Sequence, residues 1–251
     1  RAAARQHQAA RTPMNVRPEG LERALRDGLP AITWIHGDEP LLSMEAADRV
    51  RAAARAAGCE ERSVLHVERG FSVAELAGQA GAMSLFASRR LIELRIPNSP
   101  PRELGEALAE LAGSLDESVR ILVTSGPIDR KTLNGAWFRS LEPHMIHVTI
   151  HPVERARLPA WIGERLAAQG QRAGRDTLEL IADRVEGNLL AAHQEIRKLG
   201  LLFPAGPLPA DEVREAVLNV ARFDPYALLE AALRGDIERT RRGLDSLRAE
   251  G

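Results

Sequence analysis

Residues 37–40, Gly-Asp-Glu-Pro, follow an apolar run and stand where a loop could bind phosphate. Loops with the pattern G-x-x-x-x-G-K-[ST] use glycines to bring main-chain N–H groups close to phosphate oxygens and a lysine to supply charge. This loop has a single glycine, Gly37, and neither lysine of the chain follows a glycine. Asp38 and Glu39 repel a triphosphate but can cap the helix that begins at Pro40. We therefore expect no cofactor and no ATP hydrolysis.

Other groupings of reactive residues fit catalysis or metal binding poorly. The sequence has no G-x-S-x-G, G-x-G-x-x-G or H-E-x-x-H pattern, and the stretch IELRIPNS lacks the acidic pair that holds Mg²⁺. His144, His147 and His151 are close in sequence, but on a strand His144 points away from His147 and no cysteine is near. Glu186 and Glu195 fit a charged helical face. We expect no metal site and no catalytic residue.

The stretch AMSLFASRR places Leu85 and Phe86 side by side before a basic pair. The apolar residues before it share one face of an amphipathic helix, which we expect to end at Met83: Val73, Leu76, Ala77, Ala80 and Met83. A continued helix puts Leu85 about 180° from Leu76, on the face that should be polar. The pair therefore lies in a connection. It either covers the core or is an exposed anchor for a partner protein, and the pattern leaves both open.

Composition excludes several classes of protein. The chain has 251 residues, 44% hydrophobic and 27% charged, which is enough to bury a core and form more than one domain. No apolar run reaches eighteen residues, so no membrane span is expected. Cys59 is the only cysteine, which excludes an intramolecular disulfide and favours a cytoplasmic location and a structural role for this residue. The net charge of −1 offers no general attraction to nucleic acid.

Strands and helices alternate from Arg17 to His151. The predicted strands are AITWIHG, SVLHVE, residues 91–96, RILVTS and MIHVTIH, with helices between them, including a single helix over DRKTLNGAWFRSL. This order predicts a doubly wound, parallel, five-stranded sheet. The strand over 91–96 has the alternation of a half-buried strand, with Glu93 and Arg95 on its polar side.

The chain is expected to divide into four parts. Residues 1–14 have no folding pattern and are predicted to be a disordered leader, and residues 15–152 form the α/β domain. Residues 153–220 contain only helical patterns, separated by glycine and proline, and form a small all-α domain. Residues 221–251 read as a helical hairpin, the start of a further all-α domain, because two helices cannot cover their own apolar faces.

Several motifs together resemble one family over most of residues 17–251. They are GDEPLL, AMSLFASRRLIELR, AWF, LPAWI and VEGNLLAAHQEIRKLGLL, in that order. In this combination the chain is similar to the delta subunit of the bacterial DNA polymerase III clamp loader. The sister delta-prime subunit carries a Ser-Arg-Cys motif, whereas Gly58 precedes Cys59 here. The resemblance implies an AAA+-like α/β domain with a degenerate nucleotide site, a helical lid domain and a truncated helical collar domain.

The resemblance also implies a role for the Leu-Phe pair. In the delta family this pair is the wedge that enters a hydrophobic pocket on the ring-shaped sliding clamp, beta, and promotes ring opening. Carried over, Leu85 and Phe86 are that wedge and Met83 is a flanking contact. The implied partners are the clamp and the other loader subunits, gamma/tau and delta-prime, with primed DNA met only in the assembled complex. The chain is then a non-catalytic subunit of DNA polymerase III.

Two other functions remain open at this point. One is a diverged nucleotide-binding enzyme that uses the Gly37 loop. The other is a DNA-binding module that uses a group of arginines: Arg89, Arg90 and Arg95, or Arg241 and Arg242. Under the clamp-loader reading, Arg89 and Arg90 are expected to be rim charges beside the wedge. The chain reaches only the first helices of the collar, so stable incorporation into the full loader is expected to be weak.

Overall fold

The computed structural model describes residues 14–81, 88–185, 188–218 and 240–241 of the chain. The chain divides into two compact units, Arg1–Pro152 and Val153–Gly251. Each unit is described separately below.

The first unit contains a parallel sheet of six strands. The strands are β1 (Met14–Val16), β2 (Ile32–Gly37), β3 (Glu61–His66), β4 (Arg90–Ile96), β5 (Val119–Ser125) and β6 (Met145–Ile150). The helices are α1 (Leu21–Arg26), α2 (Pro40–Ala56), α3 (Val73–Gly81), α4 (Arg102–Ala112), α5 (Arg130–Leu133) and α6 (Ala136–Leu141). The strand order is β1-β6-β2-β5-β4-β3 and every pairing is parallel.

Two apolar cores lie on the opposite faces of this sheet. Side chains alternate along each strand, so Trp34 of β2 joins the core that includes Leu76, Leu104 and Phe138, from α3, α4 and α6. Its neighbour Ile35 joins the core on the α1 and α2 face. Both faces of the central strands are therefore buried, as expected for a parallel sheet covered by helices.

The prediction of five strands was wrong, because the sheet has six. The sixth strand is β1, where Met14 pairs with Ile146 and Val16 with Val148. Met14 therefore belongs to the sheet and not to the predicted leader, while residues 1–13 lie outside the described part of the chain. Three residues are too few to show a period of two, so the sequence pattern could not reveal this strand.

The prediction of a half-buried β4 was also wrong. Glu93 is only 1% exposed, and both of its carboxylate oxygens face arginines. Oε1 lies 2.7 Å from Arg51 Nε and 2.8 Å from Arg62 Nε, and Oε2 lies 3.6 Å from Arg95 Nη2. A buried carboxylate is tolerated when it is paired in this way. The polar side of β4 therefore faces α2 and not solvent.

Two helical predictions need correction. The segment DRKTLNGAWFRSL forms two helices, α5 and α6, because the Asn134 side chain donates to the carbonyl of Arg130 (2.7 Å) and the extended residue Gly135 starts α6. The predicted apolar face of α3 is narrower than expected, because Leu76 is buried whereas Ala77 is exposed. The described part of the helix reaches Gly81, and its predicted end at Met83 lies outside the described residues.

The second unit is mainly helical. It contains α7 (Leu158–Ala168), α8 (Arg175–Val185), α9 (Leu189–Leu202) and α10 (Ala210–Leu218), with two very short paired strands, β7 (Gln171–Arg172) and β8 (Gly206–Pro207). The prediction of helices alone missed this pairing. The buried Gln171 stabilises it, since its side-chain amide donates to the carbonyls of Leu199 (2.9 Å) and Phe203 (2.7 Å). Residues 221–239, in the predicted collar, are not among those described.

Candidate functional site

The connection between β2 and α2 stands at the carboxyl edge of the sheet, where α/β proteins often bind ligands. It consists of only two residues, Asp38 and Glu39. Gly37 has a φ of +151°, and a Cβ on it would lie 2.1 Å from the carbonyl oxygen of Ile150 in β6. The glycine therefore permits close approach of two strands. Its role here does not depend on a phosphate.

The N-terminus of α2 is closed by an acidic side chain. Glu39 is the N-cap, and its Oε1 accepts a hydrogen bond from the N–H of Leu41 (3.1 Å). The first helical residue, Pro40, has no N–H to offer. Burial raises the pKa of Glu39, and the nearby Asp38 acts in the same direction. The prediction that an acid caps this helix is confirmed for Glu39, whose carboxylate occupies a donor that a phosphate would need.

Two buried histidines, His36 and His147, lie near the same edge, and of these the sequence pattern singled out only His147. His36 is buried, and its Nε2 lies 3.1 Å from Thr149 Oγ1. Its ring centroid is 6.0 Å from that of His147, which is also buried and contacts Phe138 edge-on. His144 is not part of β6. It ends a 3₁₀ turn that precedes the strand. Alternation along β2 and β6 was the signal that could have brought His36 and His147 together.

This pair should make the first unit sensitive to acid. Burial, with smaller contributions from His147 and His151, lowers the pKa of His36 from 6.5 to about 4. Between these pH values the unfolded chain binds more protons than the folded chain. The contribution of neutral, buried His36 to the free energy of unfolding is therefore fully present above pH 6.5 and is lost as the pH falls towards 4. The difference between the two pKa values of His36 corresponds to a loss of at most about 3 kcal/mol in the free energy of unfolding. Chemical denaturation at pH 7 and pH 4.5 should show a decrease in the free energy of unfolding.

The control for this prediction is a pair of matched variants. His36→Gln removes the titrating group and should reduce the difference in free energy of unfolding between the two pH values. His66→Gln, at an exposed position at the end of β3, should leave that difference unchanged. Equal pH dependence in wild type and His36→Gln would show that other groups cause the acid sensitivity.

The second candidate site is the connection between α3 and β4. All three predicted clamp-binding residues, Met83, Leu85 and Phe86, belong to residues 82–87, which are outside the described part of the chain. We call residues 82–87 the Leu-Phe segment. The described chain stops before it at Gly81 and resumes after it at Ser88. All strands are parallel, so β4 begins at the amino edge of the sheet, whereas Gly37 ends β2 at the carboxyl edge. The two edges are about 20 Å apart, which is the length of a six-residue strand.

The two arginines after the Leu-Phe segment bind main-chain carbonyls. Arg89 Nη1 donates to the carbonyl of Ala57 at the end of α2 (2.8 Å), and Nη2 contacts Glu117 (2.9 Å). Arg90 Nη2 donates to the carbonyl of Ala80 in the last turn of α3 (3.3 Å). Both arginines therefore have partners within the protein, and their role as rim charges stays a prediction. A cation beside the C-terminal carbonyls of a helix is favourable.

The other arginines proposed for DNA binding are Arg95, Arg241 and Arg242. Arg95 is ion-paired with the buried Glu93. Arg241 is exposed, whereas Arg242 is not among the described residues. Three of the five candidate arginines are thus engaged within the protein, which disfavours the DNA-binding interpretation.

The remaining predicted groups have ordinary structural surroundings. Glu195 is ion-paired with Lys198 (2.5 Å), and Glu186 lies outside the described residues. Cys59 is buried, and burial raises the pKa of its thiol. Within the described ranges, no cluster of three or more His, Cys, Asp and Glu side chains could hold a metal ion. None of the helices described has the length and apolar composition that a membrane span requires.

Comparison with known proteins finds relatives among DNA polymerase III delta subunits. A family model described as DNA polymerase III, delta subunit, matches residues 34–151. The chain is 34% identical to DNA polymerase III subunit delta of Escherichia coli (strain K12) over 235 residues, which are 93% of this chain and 68% of that protein. It is 28% identical to the subunit of the same name from Haemophilus influenzae Rd over 236 residues, 93% of this chain and 69% of that protein.

A solved structure shares the fold. The Bacillus subtilis DNA clamp loader delta protein superimposes with a TM-score of 0.63 at 16% sequence identity, covering 93% of this chain and 72% of that chain. The predicted fold class, an α/β domain with a parallel sheet followed by helices, is confirmed apart from the additional strand. The sequence identity to the Escherichia coli protein and the extent of that match show that the chain belongs to the family of DNA polymerase III delta subunits.

Proposed function

We propose that this chain binds the ring-shaped sliding clamp, beta, through Met83, Leu85 and Phe86 and promotes opening of the ring for loading onto primed DNA. It acts in the cytoplasm as one component of the clamp loader, beside the gamma/tau and delta-prime subunits. It meets primed DNA only within that assembly. The chain itself uses no cofactor and hydrolyses no ATP.

Membership in the delta family is the observation that carries this proposal. The position of the Leu-Phe pair in the sequence supports it, because the pair lies between the end of α3 and the start of β4 and outside the apolar pattern of the helix. The capped N-terminus of α2 supports the proposal that the chain hydrolyses no ATP, since Glu39 competes with phosphate for the N–H of Leu41.

Ring opening requires a preference between two states of the clamp. A ligand that binds the open and the closed ring equally well shifts no equilibrium. Burial of Leu85 and Phe86 in a pocket can contribute about 1.5–3 kcal/mol for each side chain, before the costs of association. That energy promotes opening only if the pocket or its surroundings fit the two side chains better in the open ring.

The test replaces both residues with alanine. In the Leu85→Ala/Phe86→Ala variant the affinity for the clamp should fall by more than tenfold, because the two apolar anchors are lost. The melting temperature should change little if the side chains are exposed, since their truncation then leaves no cavity. Affinity is measured by calorimetry and stability by thermal unfolding on the same preparation.

A matched control removes two exposed leucines elsewhere. Leu201 and Leu202, at the end of α9, are 89% and 56% exposed, and their replacement with alanine should leave clamp affinity unchanged. A Leu85→Ala/Phe86→Ala protein that melts early but binds the clamp normally while folded would assign the pair to the core. Each truncation would then cost about 2–5 kcal/mol of stability, and the proposal would be wrong.

A further inference from the structure

The exposed side of α9 has a regular pattern that the proposed function does not use. The residues that this helix packs inwards are Leu189, Ala192, Ile196 and Leu199. Four exposed residues on the other side follow one another at intervals of four, three and four positions. At about 100° per residue, they fall within about 60° of one another around the helix axis. We call these four residues the α9 stripe: Leu190, Gln194, Arg197 and Leu201.

The two ends of the α9 stripe are apolar. Leu190 is 42% exposed and Leu201 is 89% exposed. They lie about 16 Å apart along the helix axis, since each residue advances by about 1.5 Å. One exposed leucine is ordinary, but two that are eleven residues apart on one line of a helix have the spacing at which a second helix packs against the first.

The middle of the α9 stripe carries a positive charge. Arg197 is exposed and forms no hydrogen bond or ion pair with any residue in the described part of the chain. The stripe itself contains no acidic residue. A helix laid along the stripe removes Arg197 from water, which is unfavourable unless that helix supplies a carboxylate. The stripe therefore selects for a partner with an acidic side chain between its apolar ones.

Both ends of α9 are held by side-chain hydrogen bonds. At its start, Asn188 Oδ1 accepts from the N–H of Ala191 (2.9 Å). Near its end, the amides of Gln169 and Gln171 donate to carbonyls of the helix (2.8 and 2.9 Å). The stripe is thus presented on a fixed helix, and a partner that binds it has little ordering of α9 to impose.

A second copy of this chain fits the α9 stripe poorly. Two antiparallel α9 helices can pair Leu190 of each copy with Leu201 of the other. The two copies of Arg197 then lie only about 4.5 Å apart along the axis, and like charges repel. Parallel helices place them directly side by side. A stable interface also takes about 20–30 residues from each partner, many more than the stripe contains.

We propose that the α9 stripe is a docking site for a helix of another protein, one that carries a carboxylate between two apolar residues about three turns apart. The apolar residues contact Leu190 and Leu201, and the carboxylate pairs with Arg197. The apolar contacts supply affinity and the charge pair supplies selectivity. This proposal is independent of clamp binding, because the stripe shares no residue with the proposed clamp contact.

The test uses two synthetic helical peptides of about 20 residues, rich in alanine so that they are helical in water. Both have two leucines eleven residues apart, and they differ only in carrying Glu or Lys between the leucines. In calorimetry with the full chain, the Glu peptide should bind about tenfold more tightly than the Lys peptide, because only Glu pairs with Arg197. No saturable binding of the Glu peptide, or equal affinity for both peptides, would overturn the proposal.

Variants assign the binding to the α9 stripe. Arg197→Glu should reverse the preference, so that the Lys peptide binds more tightly. Leu190→Ala/Leu201→Ala should lower the affinity for the Glu peptide by about tenfold, with an unchanged melting temperature because both side chains are exposed. The control is Met44→Ala, which truncates a 49% exposed residue of α2 and should alter neither affinity. An Arg197→Glu protein that still prefers the Glu peptide would show that the peptide binds elsewhere.

Sedimentation of the full chain tests the alternative occupant. The wild type should show no self-association that depends on the α9 stripe. If it forms dimers that Leu190→Ala/Leu201→Ala dissociates, a second copy occupies the stripe and the proposal of an acidic partner helix is wrong.

Discussion

Replacing Gly37 with alanine should prevent the first unit from folding, or lower its free energy of unfolding by about 4 kcal/mol or more. Two costs combine at this position. The φ of +151° is strained for a residue with a Cβ, and that Cβ would lie 2.1 Å from the carbonyl oxygen of Ile150. The clash is with main chain at the carboxyl end of the paired strands, where Gly37 is opposite Ile150, so no side-chain rotation can relieve it. Chemical denaturation, followed by the fluorescence of Trp34 and Trp137, measures the effect.

Gly70 offers a control that separates these two costs. Its φ is +93°, but no atom lies within 4 Å of the Cβ that alanine would add. Gly70→Ala should therefore show the conformational strain alone, about 1 kcal/mol. If Gly37→Ala costs no more than Gly70→Ala, strands β2 and β6 can separate at this point, and the close approach is not required for folding.

The second large effect is expected at Glu93. Glu93→Gln keeps the shape of the side chain but removes the negative charge that faces Arg51, Arg62 and Arg95. Arg62 and Arg95 are partly exposed and can turn towards water, whereas the Arg51 side chain is only 16% exposed and loses its buried partner. Breaking a buried ion pair from one side costs about 3 kcal/mol or more. The free energy of unfolding from urea denaturation should fall by about that amount.

A matched surface pair provides the control for Glu93. Glu106 Oε1 lies 2.7 Å from Arg102 Nε, the same distance as between Glu93 and Arg51, but both partners are largely exposed on α4. Glu106→Gln should change the free energy of unfolding little, because solvent screens an exposed pair. Similar losses in Glu93→Gln and Glu106→Gln would mean that burial does not strengthen the contact at Glu93.

Much of the fold follows from local sequence patterns, and the exceptions have physical causes. The five longer strands have clear apolar patterns, and their alternation with helices predicts the parallel sheet. The polar residue Glu93 suggests an exposed face of β4 because its partner Arg51 lies 42 residues earlier in the sequence. A pattern within one strand cannot show a charge supplied by another element. The same limit applies to β1, whose three residues can be recognised as a strand only from their pairing with β6.

The candidate site was predicted from a family resemblance and not from chemistry. The sequence pattern leaves open whether Leu85 and Phe86 pack or project, and the two residues lie outside the described chain. Reasoning from the sequence missed that Arg89 and Arg90 bind main-chain carbonyls, although a signal was present. Two consecutive arginines at the start of a strand point to opposite faces, and helices end at Ala56 and Gly81 nearby. Those carbonyls could have been proposed as their acceptors.

The strand order also has a consequence for how the chain folds during synthesis. Strand β2 is paired only with β5 and β6, and about 80 residues separate Gly37 from the first residue of β5. At a synthesis rate of about 5–20 residues per second, about 4–16 s pass between the synthesis of the apolar strand β2 and that of its first partner, β5. Strand β1 waits longer, since Met14 pairs with Ile146. These long loop closures make the sheet slow to form, and the nascent chain exposes strands that chaperones recognise until β6 completes it.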